Sequence, residues 1–475
     1  MHKNLSLVLR GLAALVIVLP AATVHAGGLY MFDRGARPLS RGGAFVAGAD
    51  DPSSLWYNPA GLADSKNQVL TDAVLTIMLA DFTRVSVAGE GGQDVRYATV
   101  KPKPTPLPIP TLAMSHTLGL KDFTFGIGIF APNTILMNWP HSVKVDGQNQ
   151  AAPTRYSLMG LKGSILSNLA IGAAWHGLEG LSIGADVQLV GGMFKVQQAL
   201  SSCDRFICAF PEQQDFDAIA DVKLSPAFGV TGVFGITYDM GLMRLGASAM
   251  LPYSLEGTAK LDVKLPTNPL FADAKVVGDK ADFGINFPLI LRVGSELRLV
   301  KSLRLEGAFV WEQWSAQKEI AIVPHDIQIK NVTGIGDYQV GKVTVPRNMK
   351  DTWSLRGGYE FFVPRRWSPG GVKLVMRGGL AYEKGAFRSN AMTPLTLDSD
   401  KVVLTGGFGI NLHKRVRFDT VAGYIFMKDM KVRDSNIEQP QAIRPTTSGF
   451  GTPLGNGDYN MDALYLGGGF AVDIN

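Results

Sequence analysis

The sequence carries little charge for its length, and this shortage excludes several classes of protein. Charged residues make up 18% of its 475 residues, whereas a soluble globular domain carries about a quarter. Its 46 basic and 41 acidic residues are dispersed along the chain, which argues against a nucleic-acid-binding protein. No apolar run of about 20 residues follows the first segment, so no helical membrane span is predicted.

Catalytic and metal-binding patterns are also missing from the sequence. The seven histidines show no metal-ligand spacing, and no Gly-x-Ser-x-Gly nucleophile elbow is present. Residues 336–343 match a phosphate-binding loop until the last position, where valine replaces the Ser or Thr that binds Mg²⁺. We therefore expect no enzyme, no metal and no cofactor, and an enzymatic barrel such as a lipase is the least favoured alternative.

The first 26 residues predict a secretory signal peptide. Lys3 and Arg10 precede an apolar run over residues 11–19, and a small-x-small cleavage site ends at Ala26. The apolar run is too short to span a membrane as a helix. The mature chain is therefore expected to reach the periplasm.

The chain has only two cysteines, Cys203 and Cys208, and both lie in one short loop. An oxidising compartment favours a local disulfide between them. The alternative, a metal-binding or redox pair, lacks nearby histidines and has the wrong spacing.

Period-two alternation predicts β-strands through most of the chain after residue 67. In residues 287–299, for example, Leu291 and Val293 alternate with Arg292. We count fourteen such strands, among them Phe123–Phe130, Tyr156–Trp175 and Leu303–Ile322. Connections after odd-numbered strands are long, and those after even-numbered strands are short. This sorting is typical of the extracellular loops and periplasmic turns of an outer-membrane barrel, whereas a sandwich has no reason to sort its loops. The proline-rich residues 102–110 are expected to form a stiff loop in one of the long connections.

Residues 39–62 differ from the rest of the chain because they combine many small residues with an acidic pair and then Asn58, Pro59 and Ala60. Proline at the first helical position predicts short helical turns here. Placed before a string of strands, this combination resembles the N-terminal hatch of the FadL/TodX family of outer-membrane transporters. An ordinary capped helix of a soluble domain is the alternative.

The resemblance extends over most of the mature chain, including the strand pairs around Phe287-Pro288 and over residues 401–427. It implies an all-β fold, a 14-stranded antiparallel transmembrane β-barrel plugged by a small, partly helical N-terminal hatch. Residues 1–26 would be the signal peptide, 27–67 the hatch and 68–475 the barrel, in the outer membrane of a Gram-negative cell. The chain departs from such barrels at its end, because Asn475 stands where an aromatic residue is common.

The resemblance also implies passive transport of long-chain fatty acids or similar hydrophobic molecules. A ligand would dock on the extracellular loops, enter an inner pocket and leave sideways through an opening at a kink in the third strand. We assign the kink to Ala131, Pro132 and Asn133, because proline cannot donate to a strand ladder. The alternative is that Pro132 simply ends the strand.

In the family, the N-terminus reaches into the ligand pocket. This implies a role for Leu29, with Tyr30 and Phe32 beside it, and the alternative is a frayed terminus. Apolar loop residues such as Met137 and Trp139 are candidate docking surfaces.

The expected partners are a hydrophobic small molecule and outer-membrane lipid, with no nucleic acid and a monomeric protein. A carboxylate head group would need a cation; Arg155, Arg292, Arg298 and Arg377 are candidates, and lumen ion pairs are the alternative for them. Two other functions stay open, an aromatic-hydrocarbon channel of the same fold and an outer-membrane adhesin acting through its loops. An adhesin has no need of a plug.

Overall fold

The computed structural model describes residues 33–65, 67–86, 95–103, 107–131, 137–161, 164–203, 206–224, 226–340, 342–368, 372–440 and 451–474. The predicted signal peptide and five of the predicted site residues lie outside these ranges. Those five are Leu29, Tyr30, Phe32, Pro132 and Asn133.

Fourteen strands form one closed antiparallel barrel, as the sequence predicts. They are Gln68–Ser86 (β1), Leu107–His116 (β2), Phe123–Phe130 (β3), Ile165–Leu178 (β4), Leu181–Met193 with Lys195–Ser201 (β5), Asp217–Leu224 with Ala227–Asp239 (β6), Met243–Met250 with Tyr253–Lys264 (β7), Lys280–Phe287 with Ile290–Val300 (β8), Leu303–Glu312 with Glu319–His325 (β9), Val343–Pro346 with Thr352–Phe362 (β10), Leu374–Glu383 (β11), Lys401–His413 (β12), Val416–Met427 with Met430–Val432 (β13) and Gly457–Asp473 (β14). The barrel closes where β1 pairs with β14, from Gln68 opposite Asp473 to Arg84 opposite Gly457.

Side chains alternate between the two faces of the wall. In β4, Leu169 and Ile171 are exposed on the outer face, while Ala170 is buried inside. Similar exposed apolar residues occur on most strands, so the outer surface is an apolar band suited to lipid. Within the described ranges, no helix has the length and apolar character needed to cross a membrane.

The two ends of the barrel differ in the lengths of their connections. At one end, turns such as Val300 to Leu303 and His413 to Val416 are tight, which marks the periplasmic end. At the other end, the long loops carry extra structure. This comprises a short strand that pairs with β1, a hairpin, a three-stranded sheet and several 3₁₀ turns: Val95–Arg96, Ser142–Val145, Gln148–Ala151, Lys275–Val277, Gln328–Val332, Gly336–Gln339, Gln214–Phe216, Pro269–Phe271, Trp314–Ala316 and Ser389–Ala391. Another 3₁₀ turn, Arg365–Trp367, lies at the periplasmic end between β10 and β11.

The hatch consists of short helical turns buried in the lumen. They are Ala36–Ser40 (α1), Ser54–Tyr57 (α2), the 3₁₀ turn Pro59–Gly61 and Leu62–Ser65 (α3). Phe45, Leu55 and Tyr57 are fully buried and form one apolar cluster with residues of the wall. The hatch is therefore packed as part of the core of the molecule.

Two local predictions are wrong. A strand was expected to begin at Tyr156, but β4 begins at Ile165, and Tyr156 is buried in a loop where its hydroxyl donates to Asp217. The proline-rich residues 102–110 were expected to form an extracellular loop, yet Pro108 and Pro110 lie inside β2. Neither buried polar contacts in loops nor missing strand neighbours can be seen in a periodicity pattern.

A disulfide joins Cys203 and Cys208 in the extracellular connection between β5 and β6. Both cysteines are buried, and Phe206 between them is exposed. The bond closes a loop of few residues on the surface of the barrel.

Candidate functional site in the filled lumen and the interrupted wall

Asn58 joins two parts of the hatch and fastens them to the wall. Its side-chain oxygen accepts a hydrogen bond from the Ala60 N–H at 3.2 Å and so caps the 3₁₀ turn. Its Nδ2 donates to the carbonyl oxygens of Val46 at 2.9 Å and of Ile236 in β6 at 3.2 Å. Pro59 suits the next position because an N–H there would have no partner inside the turn.

Glycines in the wall let the hatch approach the strands closely. A Cβ atom at Gly184 in β5 would lie 2.3 Å from the carbonyl carbon of Pro59. One at Gly379 in β11 would lie 2.1 Å from the backbone nitrogen of Gly42. Only a residue without a side chain leaves room for backbone-to-backbone contact at these positions.

Glu306 of β9 is the main acceptor for the middle of the hatch. Its Oε1 accepts from the backbone N–H groups of Val46 at 2.7 Å and Ala47 at 2.9 Å. Its Oε2 accepts from Gly48 N–H at 3.1 Å and from Arg41 at 2.8 Å. A single buried carboxylate thus satisfies three backbone donors and one guanidinium, which is the hydrogen bonding that a buried charge requires.

A network of buried ion pairs continues from Glu306 across the neighbouring strands. Arg41 also contacts Glu296 at 3.2 Å and Glu360 at 3.4 Å. Arg37 binds Glu360 in a bidentate manner, at 2.9 and 3.0 Å. Arg377 of β11 also donates to Glu360, at 2.8 Å.

The acidic pair of the hatch belongs to the same network. Asp50 pairs with Arg37 at 2.5 Å and with Arg304 of β9 at 2.8 Å, and Asp51 pairs with Arg37 at 3.1 Å. Burial alone would raise the pKa of Asp50, but Arg37 and Arg304 outweigh it and hold that pKa below its usual range. Asp50 is therefore ionised at neutral pH and can hold both arginines.

The arginines that the sequence suggested for a head group are engaged in ion pairs. Arg155 binds Asp217 at 2.7 Å, Arg298 binds Asp239 and Glu296, and Arg377 binds Asp419 at 2.7 Å. The lumen ion-pair alternative therefore describes these three arginines. Sequence reasoning missed Glu306 and Glu360 as anchors of the hatch, and their only signal is a carboxylate on the inward face of a strand.

An apolar lining extends from the hatch toward the extracellular end. Ile290, Val310 and Trp314 are at most 3% exposed and belong to the same cluster as Phe45 and Leu55 of the hatch. The cluster also includes Met349 and Phe387 in the loops above. A continuous cluster of buried apolar side chains thus connects the loop region to the filled part of the lumen.

Arg347 stands at the upper end of this lining, between the two segments of β10. It is 4% exposed, and its guanidinium lies 5.6 Å from the ring centroid of Phe387. Among the described residues no carboxylate pairs with it, and its buried Nε has no hydrogen-bond partner there. An arginine keeps its proton in proteins, so the side chain is cationic at neutral pH.

The apolar loop residues expected to face solvent are buried instead. Met137 and Trp139 are 5% and 2% exposed and pack in one cluster with Met392. Trp139 also donates through Nε1 to the carbonyl oxygen of Pro394 at 3.3 Å. These residues hold the loops together over the lumen and do not present an open docking surface.

Among the described residues, the wall has no continuous ladder beyond the end of β3. The ladder between β2 and β3 runs only from His116–Phe125 to Thr111–Phe130, and the ladder between β3 and β4 ends at Phe130–Asn168. Farther out, residues 95–100 are the neighbour of β1, and the described chain continues around the wall through isolated bridges. These are Phe82–Val100, Lys103–Asn138, Asn138–Gly160 and Gly160–Gln197.

A groove of about 830 Å³ lies along these bridges and includes Lys103, Asn138, Gly160 and Gln197 in its lining. Ala131, the described part of the predicted kink, is half-buried directly after β3. The single bridges give this part of the wall far fewer hydrogen bonds than a ladder would.

The two prolines of β2 lie where that strand has lost one neighbour. Pro108 is opposite Leu75 of β1 and Pro110 is opposite Ala73, whereas the ladder to β3 begins only at Thr111. Proline has no N–H to donate, so it is tolerated at a strand edge. In lipid, an edge without donors is also less costly than one with unpaired N–H groups.

The hatch touches the wall beside this interruption. Phe130, the last residue of β3, is fully buried, and its ring lies 6.1 Å from Trp56 of the hatch. Gly126 faces Leu62, because a Cβ there would lie 2.8 Å from that side chain. The contact between hatch and β3 is therefore apolar.

A closed fourteen-stranded barrel with an apolar outer band and a filled lumen defines an outer-membrane protein of the transporter class. Over residues 17–459 the sequence matches the outer membrane protein transport protein family (OMPP1/FadL/TodX). The chain belongs to this family, and its place is the outer membrane. A search of curated proteins gave no significant match.

Solved structures with the same fold include members of this family. The FadL homologue of Pseudomonas aeruginosa has a TM-score of 0.71 at 15% identity, covering 94% of this chain and 100% of that one. The toluene transporter TodX of P. putida has a TM-score of 0.60 at 16% identity, covering 95% and 99%. The toluene transporter TbuX of Ralstonia pickettii has a TM-score of 0.56 at 16% identity, covering 94% and 99%.

Proposed function

We propose that this protein carries long-chain fatty acids or similar hydrophobic molecules passively across the outer membrane, with lateral exit into the bilayer. The observation that carries the proposal is the combination of a filled lumen with a wall interrupted beside the filling. The ion-paired hatch fills the lumen along the barrel axis. Beside it, the described ladders that join β3 to β2 and to β4 both end at Phe130. A molecule that prefers lipid gains by leaving through the wall.

The apolar lining supports a path from the loops to this interruption. Apolar surface removed from water contributes about 25 cal/mol per Å², so a fatty chain is favoured along Phe387, Trp314 and the hatch. Trp56 and Phe130 continue the apolar contact to the end of β3. No energy source is needed, because each transfer is downhill in solvation.

Arg347 favours a ligand with an anionic head group. A buried cation without an anion among the described residues bears a desolvation cost that a carboxylate would offset. Its position above the apolar lining fits a fatty acid that enters tail first, with its head group held near the loops. An aromatic hydrocarbon has no group that would use this cation.

Aromatic-hydrocarbon uptake is the second candidate, because two of the similar structures are toluene transporters. The fold likeness leaves the cargo open at these identities, and the two candidates differ in their need for Arg347. The adhesin alternative has no use for a plug tied to the wall by buried charges.

The test is uptake of radiolabelled oleate and toluene by cells that lack their own transporters and express this protein. We expect oleate uptake to rise several-fold over cells carrying the empty vector, and toluene uptake to change less. Equal entry of both would favour the hydrocarbon channel. No entry of either, with the barrel folded in the membrane, would contradict the proposal.

Deleting residues 27–32 from the mature chain tests the predicted role of Leu29, Tyr30 and Phe32. We expect oleate uptake to fall while the barrel stays folded, as judged by its heat-dependent mobility in gels. Unchanged uptake would remove these residues from the pathway and leave the wall interruption untouched.

A further inference from the structure

The periplasmic end of the barrel carries its positive charge on one side. Three consecutive periplasmic turns, residues 301–302, 363–373 and 414–415, contain six basic residues and no acidic residue. We call them the basic turns; their cations are Lys301, Arg365, Arg366, Lys373, Lys414 and Arg415. The turns after β2 and β4, by contrast, include Asp122 and Glu179.

These six cations are free to meet an outside partner. All six are exposed, and none forms an ion pair with another residue in the described part of the chain. Arginines in other described parts of this protein are largely paired, as Arg298 is with Asp239 just inside the same end. The basic turns are therefore a concentration of unneutralised charge.

Exposed apolar side chains stand beside the cations. Trp367 is 62% exposed, and the Arg366 guanidinium lies 5.1 Å from its ring centroid. Val300 is 56% exposed and precedes Lys301, and Leu412 is 62% exposed and lies two residues before Lys414. An indole beside cations at the edge of an apolar band is the usual composition of a membrane–water interface.

We propose that the basic turns bind the phosphate groups of anionic phospholipids in the inner leaflet of the outer membrane. The cations would pair with phosphate oxygens, while Trp367 and the neighbouring aliphatic residues lie among the upper acyl chains. Charge complementarity favours an anionic over a zwitterionic head group. The basic turns connect β8 to β13, so the bound lipid would lie on the side of the barrel away from β3.

The test uses full-length mature protein in detergent with added phosphatidylglycerol or phosphatidylethanolamine, and counts retained lipids by native mass spectrometry. One basic residue near an anionic surface contributes about fivefold in binding. We expect phosphatidylglycerol to be retained at least about fivefold better. The preference should fall at least about fivefold in the triple variant Arg365→Gln, Arg366→Gln, Lys373→Gln, which keeps the other three cations.

The matched control removes three exposed cations at the extracellular end, Lys101→Gln, Lys144→Gln and Lys275→Gln, and should keep the preference. Heat-dependent gel mobility verifies that both variants are folded. Equal retention of the two lipids by the original protein, or an undiminished preference in the triple variant, would overturn the proposal. Binding of poly-glutamate without a lipid preference would assign the turns to an acidic protein partner and would also overturn it.

Discussion

Two sides of the barrel wall contact the hatch through different kinds of interaction. On the anchored side, β8 to β11, Glu296, Glu306 and Glu360 tie the hatch to the wall through buried ion pairs. On the gapped side, β2 to β4, the described contacts with the hatch are mainly apolar, as between Trp56 and Phe130. The ladders there also end early.

This difference separates two tasks within one wall. Buried charges in good geometry cost much to separate, so the anchored side fixes the position of the hatch. Apolar contacts have no directional partner to lose, so the gapped side can admit a hydrophobic molecule without leaving a charge unpaired. Under the proposed function, the hatch would stay in place during transport and the cargo would pass beside it on the gapped side.

The largest effect is expected from Glu306→Gln on the anchored side. A glutamine amide is uncharged, so it cannot neutralise Arg41. Its NH₂ group would also take the place of one carboxylate oxygen and would then face donors whose hydrogen bonds that oxygen now accepts. Breaking such a buried pair costs about 3–5 kcal/mol. We expect a lower unfolding midpoint in urea and a higher ion conductance in planar bilayers.

The matched control for that change is Glu319→Gln. Glu319 pairs with Lys342 at 2.8 Å on the surface, where both side chains are about half exposed. Exposed pairs contribute at most about 1 kcal/mol, so stability and conductance should not change. If both variants behaved alike, the anchoring role of Glu306 would be wrong.

Arg347→Gln is expected to lower oleate uptake about tenfold at limiting concentration. A hydrogen bond to a charged group contributes about 1.5–3 kcal/mol, and the amide removes the charge. Toluene uptake should not change, because that cargo has no anionic group. Lys318→Gln is the control, since this exposed lysine is a backbone neighbour of Arg347.

A fall in oleate and toluene uptake by the same factor would mean that Arg347 shapes the lining without binding a head group. Initial rates of uptake over a range of oleate concentrations measure the effect on binding separately from the effect on the maximal rate.

Replacing both Pro108 and Pro110 by threonine should sharpen the contrast between the two sides. The two new N–H groups could extend the ladder from β2 toward the chain that follows β3, each hydrogen bond contributing about 1 kcal/mol. We expect oleate uptake to fall several-fold while the unfolding midpoint stays equal or rises. Pro364→Thr, in a periplasmic turn, is the control and should leave uptake unchanged.

Asn58→Ala is expected to give the smallest effect. It removes one cap of a short turn and two hydrogen bonds from Nδ2, and caps of this kind contribute about 1 kcal/mol. A small drop in the unfolding midpoint should follow, with conductance near that of the original protein. Asn58→Asp keeps the capping oxygen and loses the Nδ2 donor, so its unfolding midpoint should lie between those of Asn58→Ala and the original protein. If Asn58→Ala lowered the midpoint as much as Glu306→Gln does, the ranking of the two contacts would be wrong.

Much of the barrel could be predicted because strand alternation and loop length are local properties of the sequence. The predicted β3 has the observed bounds Phe123–Phe130, and the short turn before Leu303 lies where it was expected. The prolines of β2 were predicted wrongly because tolerance of proline depends on a missing neighbour strand. That neighbour, β3, ends at Phe130, and the sequence of β2 alone does not show where its neighbour ends.

The candidate site was predictable only in part. The Asn58-Pro59-Ala60 motif marked the hatch, since capping is a local interaction. Its anchors could not be predicted, because Arg41 and Glu306 are 265 residues apart in sequence. Trp139 was expected at the surface because it lies in a loop, yet it is buried. The sequence of one loop does not show which other loops cover it.

The seam between β1 and β14 has a consequence for how the molecule is assembled. The hatch immediately precedes β1 in the chain, while β14 is the last strand, and the seam can form only after β14 has been inserted. The carboxylates that bind the hatch face the lumen from β8 to β10. If the barrel closed before the hatch was inside, the hatch could no longer reach them. Assembly is therefore expected to follow an order in which the hatch first packs against a sheet that is still open. The first and last strands then pair and close the barrel around it.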